Sequence, residues 1–221
     1  MVCGKATAMS TKVKICGLRT EAALAAALDG GADYVGFVFF GPSPRNVTPE
    51  AAKALAAKAR GRAKIVALMV DPDDALIDTV VAAAAPDLLQ LHGQETPERV
   101  AEIRARWGTP VMKALAVATA EDARAASRYR GAADLVLFDA RAPADSTRPG
   151  GNGAPFDWRA LLGVMEGIPF VLSGGLTPDN VAEAIRLTGA AIVDVSSGVE
   201  SRPGEKDPEL IRRFLRAAKG V

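Results

Sequence analysis

Apolar and polar positions along the chain repeat one rhythm: a short apolar run, a turn, an alanine-rich stretch and another turn. Short apolar runs bounded by turn residues are typical of buried strands, and the alanine-rich stretches between them are typical of helices. The pattern predicts eight strands, at residues 13–16, 34–39, 64–70, 88–92, 111–115, 135–139, 170–174 and 192–197.

Several predicted helices begin at a Thr-Pro pair. The stretches TPEAAKALAAKA, TPERVAEIRARW and TPDNVAEAIRLTG begin this way, whereas AEDARAASRYR does not. Threonine favours the N-cap position and proline the first helical position, so these pairs mark helix starts. Helices therefore alternate with strands along the chain.

This alternation predicts an α/β fold built on a parallel sheet. Eight strand–helix units in 221 residues favour a closed (β/α)8 TIM barrel over an open doubly wound sheet. No linker or change of composition divides the chain, which predicts a single domain. We expect residues 1–11 to form a loosely attached leader, in which Met9 is an alternative start, and residues 12–221 to form the barrel.

Composition limits the class of partner. The chain has 27 Lys and Arg against 26 Asp and Glu, so no basic surface indicates nucleic acid or an anionic membrane. We therefore expect a small-molecule partner. The first ten residues lack the apolar stretch of a secretory signal, and two cysteines with one histidine suit neither a metal site nor a disulfide framework. These features predict a cytoplasmic protein and leave both a monomer and a homodimer open.

In a (β/α)8 barrel, function gathers where the strands end and the βα loops begin. The loops after the seventh and eighth predicted strands, SGGLTPDN and SSGVES, carry Gly174 and Gly175, and Ser196, Ser197 and Gly198. Glycines let backbone N–H groups approach an anion, and these two loops often hold phosphate in such barrels. Two loops at matching positions favour a phosphate site over glycines that merely turn the chain.

Two further strand ends carry candidate acid–base chemistry. Asp139 ends an apolar strand, where partial burial favours the protonated carboxyl that a general acid requires, although it is equally suited to capping a turn. Cys16 ends the first strand and is either a buried structural thiol or a reactive one. Lys14 lies on the same face of that strand and, with Lys113, is expected to lower the pKa of the Cys16 thiol.

Three other features lie near the predicted mouth. Arg45 follows the second strand in a proline-constrained loop, where a guanidinium suits a carboxylate, although most arginines are simply solvated. His92 ends the fourth strand, where a structural histidine is the commoner case. The long Gly- and Pro-rich stretch after Asp139 suits either a lid over the mouth or a flexible surface loop.

Taken together, the stretches KICGL, GADYVGFVF, SPRNVTPE, LLQLHG, LFDARAP, GGNGAPFDW, LSGGLTPDNV and VDVSSGVES resemble the phosphoribosylanthranilate isomerase family of tryptophan biosynthesis. The resemblance runs from about Val13 to the C-terminus. A cysteine after the first strand with an aspartate after the sixth distinguishes this family from other phosphate-binding barrels, since the related histidine-pathway isomerase is expected to carry an aspartate at the position of Cys16.

The resemblance implies an Amadori rearrangement of N-(5-phosphoribosyl)anthranilate to 1-(2-carboxyphenylamino)-1-deoxyribulose 5-phosphate, without metal or organic cofactor. It implies Asp139 as general acid and Cys16 as general base. Arg45 would bind the anthranilate carboxylate, and the glycine and serine residues of the last two loops the phosphate. Asp194 and His92 would lie at the mouth and contact the substrate.

Two alternative functions remain open at this point. A histidine-pathway sugar-phosphate isomerase would need a second glycine-rich phosphate loop near the third and fourth strands, and VDPDD and LHGQE do not supply one. A non-catalytic barrel that binds a phosphorylated ligand would keep the last two loops but would need neither Cys16 nor Asp139.

Overall fold

A computed structural model describes residues 11–141, 150, 156–163 and 170–221. The predicted leader, except Thr11, and most of the predicted lid lie outside these residues. Thr11 is buried, and the first strand begins at the next residue. Among the described residues, no helix has both the length and the apolar character that a bilayer span needs.

Eight parallel strands close into a barrel in chain order, and the first strand pairs with the eighth. This confirms the predicted (β/α)8 architecture. The strands are β1 (Lys12–Cys16), β2 (Tyr34–Phe39), β3 (Lys64–Met69), β4 (Leu88–Leu91), β5 (Val111–Val117), β6 (Leu135–Ala140), β7 (Phe170–Leu172) and β8 (Ile192–Val195).

Helices connect the strands on the outside of the barrel. They are α1 (Glu21–Asp29), α2 (Pro49–Ala59), α3 (Asp74–Ala84), α4 (Pro97–Trp107), α5 (Ala120–Arg124), α6 (Val181–Thr188) and α7 (Pro208–Lys219). Short 3₁₀ turns cover Ala125–Tyr129, Trp158–Leu161 and Ser197–Val199. After β8 the chain forms a small antiparallel pair, β9 (Glu200–Arg202) and β10 (Glu205–Lys206), before α7.

Several predicted strands extend too far at their C-terminal ends. His92 follows the end of β4, Gly174 follows β7, and Ser196 and Ser197 follow β8. These residues leave the sheet because the chain turns outward there into the βα loops. Polar residues at a strand end are therefore better assigned to the loop, which is also where a binding site needs them.

The Thr-Pro signal is right at two helices and wrong at a third. Thr48 and Thr96 cap α2 and α4, each accepting a hydrogen bond from the backbone N–H three residues on, with proline in the first turn. At the third pair, Thr177 lies in a turn and α6 begins only at Val181. Asn180 accepts from the Thr177 N–H at 2.8 Å, so the asparagine side chain closes this turn before the helix starts.

The core forms layers set by the alternation of side chains along each strand. Residues facing the helices form the large outer core, whereas residues facing inward fill the barrel. The part of the interior farther from the C-terminal mouth is apolar and contains Tyr34, Val66, Leu88, Met112, Ala114, Leu137 and Val171. Nearer the C-terminal mouth, Cys16, Val38 and Leu68 form a smaller apolar cluster against Phe40 and Val70. Above the filled interior, the βα loops leave an open cavity.

Candidate active site

A cavity opens at the C-terminal mouth of the barrel, which is the usual place of a small-molecule site in this architecture. Its lining brings together most of the site residues predicted from sequence: Cys16, Arg45, His92, Asp139, Gly174, Gly175, Asp194, Ser196 and Ser197. In the described part of the chain, no group of three or more His, Cys, Asp and Glu side chains is arranged to hold a metal ion.

Cys16 is a free, buried thiol on one wall of this cavity. Burial raises the pKa of the Cys16 thiol above its ordinary value of 9.0, although Lys14 and Lys206 oppose the shift. The predicted effect of Lys14, which lowers the pKa of the Cys16 thiol, is confirmed, but burial outweighs it. Lys113 does not take part, because its ammonium pairs with Glu95 at 2.9 Å.

Lys14 belongs to a polar group buried directly below the cavity. Its Nζ lies 2.8 Å from Asp194 Oδ1, and Ser173 Oγ donates to Asp194 Oδ2 at 3.3 Å. Burial alone would lower the pKa of Lys14, but Asp194 and Cys16 outweigh it and raise that pKa. A permanent cation therefore lies beside the thiol, which favours its ionised form.

Asp139 lies across the mouth from Cys16, since β6 and β1 are separated by β7 and β8. Its carboxyl is buried and lines the same cavity. Oδ1 accepts from the Ala140 N–H at 2.9 Å, and Oδ2 lies 3.3 Å from Nε2 of His92. His92 therefore contacts the carboxyl rather than serving only the fold.

Gly150 closes over this pair. A Cβ on Gly150 would lie 2.4 Å from Asp139 Oδ2 and 2.6 Å from His92 Nε2. Because contacts below 3.0 Å are too short for a real Cβ, only glycine fits here without displacing the carboxyl or the imidazole. Gly150, in the stretch after β6, thus belongs to the wall of the site.

The loops after β7 and β8 line the cavity with Gly174, Gly175 and Ser197. Gly174 and Gly175 have φ values of 86° and 66°, a left-handed conformation that glycine adopts without strain. The N–H groups of Gly174, Gly175 and Ser197 donate to no acceptor among the described residues. Unpaired N–H groups from two adjacent loops are suited to an anion.

Ser196 and Gly198 make contacts that hold the loops around the cavity in place. Ser196 Oγ donates to the Cys16 carbonyl oxygen at 3.2 Å and so ties the β8 loop to the end of β1. Gly198 packs behind the cavity lining, where a Cβ would come within 1.8 Å of the Leu176 carbonyl oxygen. Its side-chain-free surface allows the two loops to lie against each other.

Arg45 is buried at the mouth and held by a carboxylate. Its Nε and Nη2 donate to the two carboxylate oxygens of Glu200 at 2.7 and 2.8 Å. Lys206 Nζ reaches the same carboxylate at 2.6 Å. Gly17 lies directly under the arginine, with its Cβ position 2.7 Å from Arg45 Cδ. Together these contacts fix the direction of the guanidinium.

Burial and neighbouring charges shift the pKa of Glu200 in opposite directions. Burial alone would raise the pKa of Glu200, but Arg45 and Lys206 hold it below its usual range. Burial lowers the pKa of Lys206 to about 8, despite the neighbouring Glu200 carboxylate. Lys206 also donates to the Ser196 carbonyl at 2.9 Å, which joins this cluster to the β8 loop.

Sequence reasoning missed Glu200, Lys206, Gln90 and Gly150 as residues of the site. Gln90 carried a usable signal, because it is a polar residue inside the apolar run LLQLH. Glu200 lies in the stretch SSGVES, next to the predicted phosphate loop. Lys206, whose partner Glu200 lies only six residues before it, was not singled out from the sequence. Gly150 carried no local signal, because its neighbour His92 lies far away in the chain.

These features define a (β/α)8-barrel enzyme with a thiol and a carboxyl facing one cavity and glycine-rich loops between them. The sequence model of the family described as N-(5'phosphoribosyl)anthranilate (PRA) isomerase matches residues 13–217. The chain belongs to this family.

Individual proteins of this family are similar to this chain over nearly its whole length. The chain is 59% identical over 211 residues to N-(5'-phosphoribosyl)anthranilate isomerase of Rhodopseudomonas palustris strain HaA2, covering 96% of this chain and 97% of that protein. It is 57% identical over 212 residues to the enzyme of the same name from Paramagnetospirillum magneticum, covering 96% and 99%.

Solved structures share the fold. A crystal structure of phosphoribosyl anthranilate isomerase from Thermotoga maritima has a TM-score of 0.86 at 35% identity, covering 96% of this chain and all of that one. A structure of the enzyme in complex with reduced 1-(o-carboxyphenylamino)-1-deoxyribulose 5-phosphate has a TM-score of 0.83 at 34% identity, with the same coverage.

Proposed function

We propose that this chain converts N-(5-phosphoribosyl)anthranilate to 1-(2-carboxyphenylamino)-1-deoxyribulose 5-phosphate, with Asp139 as general acid and Cys16 as general base. One observation supports these two roles. The Asp139 carboxyl on β6 and the Cys16 thiol on β1 line one cavity, on either side of the glycine-rich loops after β7 and β8. This arrangement matches a substrate with a phosphate at one end and reacting carbons in the middle.

Asp139 supplies the first proton. The protonated carboxyl donates to the ring oxygen of the ribose, the bond between C1 and that oxygen breaks, and the anilino nitrogen lone pair forms a C=N bond to C1. The product is an open-chain, positively charged Schiff base. The carboxylate left on Asp139 is stabilised by the Ala140 N–H, which donates to Oδ1 at 2.9 Å.

Cys16 then removes the proton from C2. The Cys16 thiolate takes it, the C–H electron pair forms a C1=C2 bond, and the C=N electrons return to nitrogen, leaving a neutral enolamine. The enolamine gains a proton at C1 and loses one from the C2 hydroxyl to give the ketone. Proton exchange with solvent restores the Cys16 thiolate and the Asp139 acid.

Lys14 makes the thiolate attainable in a buried setting. Desolvation disfavours an anion at Cys16, and the Lys14 ammonium, held by Asp194, offsets part of that cost. The Lys14 ammonium also stabilises the Cys16 thiolate during the preceding step, in which the Schiff base forms. Removal of the C2 proton is also favoured by the positive charge of the Schiff base.

Three parts of the cavity match three parts of the substrate. We assign the phosphate to the backbone N–H groups of Gly174, Gly175 and Ser197 and, behind them, to the loop packing that Gly198 allows. The apolar wall of Val38, Phe40, Leu68 and Val70 suits the anthranilate ring. We assign the anthranilate carboxylate to Arg45, whose guanidinium is directed by Glu200.

The remaining predicted contacts complete the proposal. Ser196 lines the cavity beside Ser197, and we assign it to the phosphate. Asp194 and His92 also line the cavity, and we assign them to the mouth around the ribose. Cys16 is a free thiol, which suits the reducing cytoplasm that we propose as the compartment. We keep both monomer and homodimer as proposed assembly states, and sedimentation equilibrium of the full chain separates them.

The test follows the loss of anthranilate-type fluorescence with the phosphoribosylated substrate. Cys16→Ala and Asp139→Asn should each lower kcat by about 10²- to 10⁴-fold, the usual contribution of a general acid or base. Both variants should still bind the reduced product analogue, because the phosphate loops and Arg45 are unchanged. Asp29→Asn, at an exposed ion pair with Arg62 outside the cavity, is a matched control for Asp139→Asn and should keep wild-type kcat.

Either of two results would reject these roles. A near-wild-type kcat in Cys16→Ala or in Asp139→Asn removes that residue from the chemistry. A Cys16→Ala variant that no longer binds the reduced analogue because its core has collapsed would show that the thiol is structural.

A further inference from the structure

Gln90 is a buried polar side chain with no part in the proposed chemistry. It lies on β4 and points into the barrel, and its residue is fully inaccessible to solvent. Its Nε2 lies 3.1 Å from Nδ1 of His92. Its Oε1 is buried and has no hydrogen-bond partner among the described residues.

Packing does not explain an amide at this position. Leu68 and Met112 are the residues in register with Gln90 on the neighbouring strands, and both are apolar. A buried carbonyl oxygen without a partner costs fold stability, and an apolar side chain of similar size would avoid that cost. What the amide adds is therefore its contact with His92.

That contact decides which nitrogen of His92 carries the proton. In a neutral imidazole one ring nitrogen donates and the other accepts. The Gln90 amide nitrogen can only donate, so Nδ1 must accept and the proton must lie on Nε2. Nε2 is the nitrogen that lies 3.3 Å from Asp139 Oδ2. A chain of hydrogen bonds, called the relay below, thus connects the Gln90 amide through the His92 imidazole to the Asp139 carboxyl.

We propose that Gln90 is a positioning residue that holds His92 in its Nε2–H tautomer, so that this N–H donates to Asp139 Oδ2. With the Ala140 N–H on Oδ1 at 2.9 Å, both carboxyl oxygens then receive an N–H donor. Two donors fix the plane of the carboxyl and stabilise the carboxylate that remains once the proton has left. The kinetic part of this inference rests on the proposed role of Asp139, whereas the tautomer does not.

The tautomer can be measured directly because His92 is the only histidine of the chain. Protein labelled with ¹⁵N-histidine, free of any affinity tag, gives a single imidazole in a long-range ¹H–¹⁵N correlation spectrum. We expect wild-type enzyme to show a protonated Nε2 and an unprotonated Nδ1. An Nδ1–H tautomer, or a rapidly averaged mixture, in the wild type overturns the proposal without any variant.

Gln90→Met removes the amide and keeps the volume. We expect His92 to lose its single tautomer, kcat to fall by about ten- to a hundredfold as the carboxyl loses its fixed position, and KM to stay near the wild-type value. The melting temperature should be equal or higher, since an unpartnered oxygen is removed. Gln94→Met makes the same chemical change at an exposed position nearby and should leave the tautomer and kcat unchanged.

A double-mutant cycle tests whether Gln90 acts through His92. In a His92→Phe background, Gln90→Met should have no further effect on kcat; two independent, additive losses would overturn the relay. A Gln90→Met enzyme with wild-type tautomer and kcat would also overturn it. If instead Asp139→Asn keeps wild-type activity while the tautomer is as expected, the proposed acid fails and the positioning of His92 by Gln90 stands.

Discussion

Replacing Glu200 by glutamine should weaken both the fold and substrate binding. The Glu200 carboxylate is the shared partner of Arg45 and Lys206, and all three side chains are at most 6% exposed. Glutamine keeps the size of the side chain but removes the negative charge. Two buried cations then face each other without an anion between them.

The expected loss of stability follows from that burial. Removing one partner of a buried ion pair costs about 3–5 kcal/mol, because the remaining charge stays desolvated. For a chain of this length, about 1 kcal/mol corresponds to about 2–4 °C, so the melting temperature should fall by about 6–20 °C. Glu205→Gln, which breaks an exposed pair with Arg202 on the same small sheet, should leave the melting temperature unchanged.

The loss of stability in Glu200→Gln should also depend on pH. The pKa of Lys206 is about 8 in the wild type and is raised by Glu200, so it falls further in Glu200→Gln. Below the lowered pKa, the folded variant must keep an unpaired buried ammonium. Above about pH 8 the lysine is neutral in both folded proteins, and this part of the difference disappears. Destabilisation should therefore be larger at about pH 6 than at about pH 9.

Binding should weaken because Arg45 loses the group that directs it. Charge-assisted hydrogen bonds contribute about 1.5–3 kcal/mol, so KM should rise by about ten- to a hundredfold in Glu200→Gln, as it should in Arg45→Ala. The assays are thermal unfolding at several pH values and steady-state fluorescence at a temperature where the variant is folded. A Glu200→Gln enzyme with wild-type melting temperature and KM would refute the reasoning.

Three further outcomes are expected. Gly150→Ala should lower kcat more than it lowers stability, because its Cβ would displace the Asp139 carboxyl; wild-type kcat would show that the segment moves aside freely. Burial raises the pKa of the Cys16 thiol, so its alkylation by iodoacetamide in free enzyme should be slow at about pH 7 and accelerate with a midpoint above 9.0; a midpoint below about pH 8 would contradict this. Removing residues 1–10 should leave melting temperature and kcat unchanged, and a large fall in kcat with an intact fold would place the leader in the site.

The repeated strand–helix pattern of the chain was sufficient to predict the fold and the position of the site within it. A strand–helix repeat forces parallel strands, and parallel strands bring every C-terminal end to one mouth. Residues as distant as Cys16, Asp139 and Ser197 could therefore be assigned to one cavity from their positions at or just after the C-terminal ends of the strands. The Thr-Pro starts of α2 and α4 were predictable for the same reason, because a helix cap is a contact between neighbours in sequence.

Contacts between distant residues were decided only by the closed barrel. Arg45 could be assigned to the mouth, but its pairing with Glu200 depends on how the loops after β2 and β8 meet, which no local pattern encodes. The net pKa shift of Cys16 is a balance between burial and the charge of Lys14, and burial is a property of the whole packed interior. Sequence therefore determines which groups are available and at which strand end they lie, whereas tertiary packing determines their partners and protonation, because both depend on distance and desolvation in three dimensions.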